Sequence, residues 1–173
     1  LADRNASRWY AINVNGSILS VAQSGTLFDN AATTPKSYWM GSIAATGQGH
    51  AVVGASEAGQ SNYANAVIAG RYASSTAGSL FAPTLATTYS SVYNLQSGET
   101  QRWGDYSQTV VDPNDDMTLW TFQEFTSGAD RWAVRAIQLK APPPATITTM
   151  TAVTCTADHK IDITVNGSVG ANF

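Results

Sequence analysis

Cysteine is almost absent. The 173-residue chain has one, Cys155, and a single thiol closes no disulfide within the chain, so a disulfide framework is excluded. Cys155 reads either as a buried core thiol in a Thr-rich strand or as half of a bridge to a mate outside this segment. Charge is also scarce: charged residues make up 12%, against a usual share of about 25%. With nine Lys and Arg against twelve Asp and Glu, no basic nucleic-acid surface is expected. No apolar run reaches the length of about eighteen residues that a membrane helix needs. The two histidines, His50 and His159, have no Cys or His at ligand spacing, which argues against zinc. The opening "LADRNASRWYAINV" lacks the basic and apolar regions of a signal peptide.

The composition in place of charge is Ala, Gly, Ser and Thr with 5 Trp, 7 Tyr and 5 Phe. Disorder needs few aromatics and a high net charge, and the formal charge here is only -3. Small and β-branched residues with scattered rings suit short strands and tight turns. The lean towards Thr, Ser and Asn is that of a secreted or cell-surface protein. Three glycosylation sequons begin at Asn5, Asn15 and Asn166.

Strand patterns run through most of the chain. "RWYAINV" and "SILSVAQ" flank Asn15-Gly16, a strong hairpin signal because a type I′ turn needs positive φ twice. "SYWMGSIAAT", "AVVGASE" and "NYANAVIAGRY" follow. "SLFAPTLATTYS" reads as a broken edge strand around Pro83. "RWGDYSQTVV", "MTLWTFQEF" and "DRWAVRAIQLK" come next. By the period of two, Trp120 and Phe122 share a face and are expected to be buried between sheets. Pro142, Pro143 and Pro144 form a stiff spacer. The expected division is 1–141, a linker over 142–145, and a second β module over 146–173 that opens with a hairpin.

An internal repeat sets the architecture. The stretch opening at "SYWMG" and the one opening at "QRWGD" match in order, with Trp39 aligned to Trp103, Glu57 to Glu124 and Tyr63 to Trp132. A repeat of this length with four short strands reads as a propeller blade. The chain then holds two strands of one blade, four of the next and three of a third. Nine strands do not close a ring, since propellers use about four to eight blades. The chain is therefore expected to be part of a longer polypeptide or a multi-chain assembly, and to aggregate or stay partly unfolded alone.

The strings "QSGTLFD", "SYWMGSIAATGQGHAVVGASE", "AGRYA" and above all "RWGDYSQTVVDPNDDMTLWTFQEF" resemble the last blades of large bacterial extracellular proteins with sialidase-like (BNR-type) β-propellers. The likeness covers roughly residues 8 to 140. It implies an all-β fold of about two four-stranded antiparallel blades, followed by the opening hairpin of an immunoglobulin-like sandwich. It further implies a secreted scaffold or adhesion module that binds protein or glycan. A sialidase-like glycoside hydrolase and a structural subunit of an extracellular assembly are the alternatives. The Asp-box of sialidases is absent, and no spacing brings three Arg residues together.

Two clusters carry candidate chemistry. Arg102, Trp103, Asp105 and Glu124, with Trp39, fall at one mouth of the expected channel. Paired carboxylates are the equipment of glycoside cleavage, Trp faces stack on sugar rings, and Arg binds carboxylates bidentately. The alternative is that Arg102 pairs with an acid, Glu124 or Asp105, to tie blades together. Asp112, Asp115 and Asp116 fall on the opposite face. They read either as oxygen ligands for Ca²⁺ or as an ordinary type I turn. No other cofactor is implied.

Overall fold

The computed structural model describes residues 3–144 apart from positions 97 and 99, with 146–150, 154–155, 161–162 and 165–168; past 144, side chains are described only at 148, 149, 166 and 167. The fold is all-β, and no helix occurs among the described residues. β1 (Ser7–Asn15) and β2 (Ile18–Leu27) form an antiparallel hairpin. β3 (Lys36–Ala45), β4 (Ala51–Gly59), β5 (Asn62–Arg71) and the short β6 (Thr84–Leu85) form one antiparallel sheet in that order. β7 (Gln108–Val111), β8 (Thr118–Gly128) and β9 (Arg131–Lys140) form the next. The grouping of strands is the expected one, and Pro83 lies just before the edge strand β6. Farther on, β10 (Thr146–Met150) pairs with β13 (Val165–Ser168), and β11 (Thr154–Cys155) with β12 (Ile161–Asp162). The Cys155 side chain and all of His159 lie outside the described residues.

The first hairpin turns one residue later than expected. Asn15 pairs with Ile18, so Gly16 and Ser17 form the loop. Only Gly16 has a positive φ, 59°, the requirement of a type II′ turn with glycine first.

The three sheets lie face to face, and their two interfaces differ in chemistry. β4 is buried from Ala51 to Glu57. Its odd positions Val53 and Ala55 join Trp9, Leu27, Tyr38, Val67 and Ala69 in an apolar core against the first hairpin. Its even positions meet β8: a Cβ on Gly54 would overlap Thr121 and press on Gln123, and Ser56 Oγ donates to the Glu124 carbonyl at 3.2 Å. This second interface is hydrogen-bonded. Ser42, Thr109, Thr121 and Gln123 form a side-chain chain with links of 2.8, 2.8, 2.8 and 3.2 Å, and Thr126 Oγ1 donates to the Ala64 carbonyl at 2.9 Å.

That packing overturns the expected face of β8. The inward side chains are Leu119, Thr121, Gln123 and Phe125. Trp120 is half-buried on the other face and Phe122 is 40% exposed. A shift of one residue exchanges the two faces of a strand. The same shift corrects the repeat alignment. Counted from the first pair beyond each hairpin, Ala45↔Ala51 and Val111↔Leu119, Ser56 matches Glu124 and Glu57 matches Phe125. Glu57 faces the first hairpin, whereas Glu124 faces away from the stack.

Candidate functional site

The turns after β3 and β7 share one end of the stack, and those after β4 and β8 share the other. At the first end, the three aspartates are each engaged in turn geometry. Asp112 accepts from the Asn114 backbone and side chain at 3.0 and 2.8 Å. Asp115 accepts from the Met117 and Thr118 backbones at 2.9 and 2.7 Å and from the Thr118 hydroxyl at 2.7 Å. Asp116 accepts from Gly47 N–H through both oxygens, which ties this turn to the one after β3. No three acidic, His or Cys side chains converge to hold a metal among the described residues. Of the two sequence readings of Asp112, Asp115 and Asp116, the hydrogen bonds here are those of a turn.

These contacts set a pH response. The N–H donors of Met117 and Thr118, followed by the Thr118 hydroxyl, lower the Asp115 pKa to about 2. A carboxylate with a depressed folded-state pKa stabilises above its unfolded value, and that contribution is lost as pH falls through the folded one. Asp115→Asn is therefore expected to flatten the loss of stability between pH 4 and pH 2, relative to the parent. Acid titration followed by tryptophan fluorescence checks this; an unchanged slope would contradict it.

The opposite end holds the residues singled out as a ligand site. The connection over 86–107 contains no strand among its described residues; connections longer than about 12–15 residues without regular structure are uncommon and often functional. Asn65 on β5 pins it. Its amide donates to the Tyr89 carbonyl at 2.9 Å, and its Oδ1 accepts from Tyr89 N–H at 2.9 Å and Thr87 Oγ1 at 2.8 Å. So anchored, the connection brings Tyr93 and Trp103 together edge to face at 5.2 Å, with Trp39 against Trp103 at 6.3 Å. Trp103 Nε1 donates to Ser56 Oγ at 3.1 Å. Trp39 and Trp103 are neighbours in one cluster; they do not match as repeat positions, since Trp39 stands on β3 opposite Ser56 and Trp103 lies in the connection before β7.

This cluster divides two contiguous clefts. The larger, about 820 Å³, has Trp39, Tyr63, Tyr93 and Trp103 with Gln60 and Ser37 on its walls. The smaller, about 440 Å³, is bounded by Tyr93, Trp103, Tyr106 and Trp132 around Arg102, Asp105 and Glu124. Arg102 pairs with Asp105 at 3.4 Å, both well exposed. No ion pair or hydrogen bond reaches the half-buried Glu124 carboxylate among the described residues. Burial, then the neighbouring Asp105 charge, pushes its pKa up. The predicted pairing of an Arg with Asp105 or Glu124 is met by Asp105; Glu124 is left free.

The sequence pointed to Trp39, Arg102, Trp103, Asp105 and Glu124, and the fold gathers all five at this end. It missed Tyr93, Trp132 and the Asn65 anchor. The unstructured length of the 86–107 connection was the available signal. No known protein family matches the chain, no characterised protein matches its sequence, and no solved structure matches its fold.

Proposed function

We propose that the chain forms part of a sialidase-like β-propeller in a secreted or cell-surface protein, and that the 86–107 end of its sheets binds a glycan without cleaving it. The observation that carries this reading is the pair of clefts divided by Trp39, Tyr93 and Trp103. Half-buried rings offer flat apolar faces to the C–H face of a sugar, and amides and hydroxyls on the walls offer partners to its hydroxyls. The stacking of antiparallel sheets of two, four and three strands supports the propeller. So does the outward face of the first hairpin, where Tyr10, Ile12, Val14, Leu19 and Val21 are all more than half exposed. An apolar patch of this kind marks a surface that another element covers, here a further blade from the same polypeptide or another chain.

The unpaired Glu124 beside Asp105 favours a second reading, glycoside hydrolysis by a pair of carboxyl groups. Binding and turnover on a glycan panel that includes sialosides separate the two in the intact protein. Trp103→Ala is expected to weaken glycan binding about tenfold or more, as loss of an aromatic anchor does, with no product formed by the parent. Turnover that disappears in Glu124→Gln would replace the binding module with the hydrolase. Failure of every glycan to bind would remove both.

A further inference from the structure

We propose that the cleft over Glu124 receives the ammonium group of an amine-bearing ligand. On the glycan reading above, from which the ligand class is taken, this is an unacetylated amino sugar. Three observations converge on the group. The charges in the cleft do not balance: Arg102 lies against Asp105 at 3.4 Å, and the Glu124 carboxylate has no cation among the described residues. One negative charge remains in a half-buried place, and buried charges are normally paired. A monocation restores the balance, whereas an acidic sugar would bring a second negative charge to a cleft that already has a surplus.

The walls fit the same group. Tyr93, Trp103, Tyr106 and Trp132 surround the carboxylates, and Trp132 is 58% exposed, so its ring is available. The negative faces of such rings attract an ammonium. A neutral hydroxyl gains much less from them.

Glycine lets the carboxylate sit against the backbone here. A Cβ on Gly104 would overlap Glu124 Oε2 and crowd the rest of its carboxylate. Gly104 does not have the positive φ that would demand glycine on conformational grounds. Its use is the close approach of backbone to the acid: a side chain at position 104 would displace the Glu124 carboxylate from its place in the cleft.

The test is calorimetry on the intact protein at pH 7 with chitosan oligosaccharides, their fully N-acetylated counterparts and Nα-acetyl-lysine amide. The amine-bearing sugar is expected to bind about tenfold tighter than its acetylated form, the increment of one good charge-assisted contact. Glu124→Gln, which keeps the shape of the side chain, is expected to erase that preference and leave the acetylated sugar unchanged. Affinity for the amine should also fall as pH drops and Glu124 takes up its proton. Equal binding of the two sugars, or a preference that survives Glu124→Gln, would overturn the ammonium assignment while the glycan reading stands. If neither sugar binds but the lysine amide does, with loss in Glu124→Gln, the ammonium site holds and the glycan reading falls. No binding by any of the three would end both.

Discussion

Trp9→Ala is expected to destabilise the β1–β5 region by about 3–5 kcal/mol, the range for removal of a buried large aromatic. Trp9 is 6% exposed and sits in the apolar core with Leu27, Tyr38, Val53 and Val67. Two neighbours are built around its ring. A Cβ on Gly25 would overlap the Gly78 carbonyl and press into the indole, and the Arg71 guanidinium lies over the ring at 5.3 Å. The indole Nε1 is buried without a hydrogen-bond partner. Trp9→Phe is therefore expected to cost much less than Trp9→Ala, because it removes an unsatisfied donor along with part of the volume. Native-state hydrogen exchange of β4 and β5 amides measures both. Equal losses for the two variants would show that the indole N–H is not the liability described.

Lys36→Met is expected to cost about 3 kcal/mol, near the lower end of the range for breaking a buried pair. Lys36 Nζ lies 2.9 Å from Glu57 Oε1, and Glu57 is 2% exposed. The lysine side chain is about a third exposed, which keeps the figure low. Tyr38 is the other partner of this carboxylate, and burial, then the Glu57 charge, raises its pKa to about 12. The hydroxyl thus stays a donor throughout the neutral range but cannot supply the lost positive charge. The double variant Lys36→Met with Glu57→Leu is expected to recover most of the loss, because an apolar pair in place of a buried ion pair is often neutral. A double variant as unstable as the single one would mean that the cost lies in packing rather than in the uncompensated acid.

The strands were legible in the sequence because alternation and turn residues are local signals. Their grouping followed from the repeat. The inward face of β8 was not legible. Its large apolar residues, Trp120 and Phe122, stand on the outward side, while Thr121 and Gln123 face β4. Ranking by hydrophobicity fails where hydroxyls and an amide N–H hydrogen-bond within one sheet and across to the next. The cross-sheet partner, Ser42, is 81 residues from Gln123. The site was legible in its charged and Trp residues, since their chemistry is visible one residue at a time. Tyr93 and Trp132 were missed because they arrive from a strandless connection and from β9, and only the fold brings them to Glu124. The Glu57 and Glu124 alignment failed for a smaller reason: the turns after β3 and β7 differ in length, and a one-residue slip reverses the face.

The contrast between the two sheet interfaces has a thermal consequence. Hydrophobic attraction weakens on cooling, so the contact of the first hairpin with β3–β5, made by Trp9, Leu27 and Val53, loosens in the cold. The contact of β7–β9 with the same sheet mixes Leu119 and Phe125 with the polar links of Ser42, Thr109, Thr121 and Gln123, and the polar links do not share this weakening. Its opening exposes polar groups together with apolar ones, and polar exposure lowers the heat-capacity change. A single layer, β3–β5, is thus joined to one neighbour by a bond that chilling weakens throughout and to the other by a bond that chilling weakens only in part.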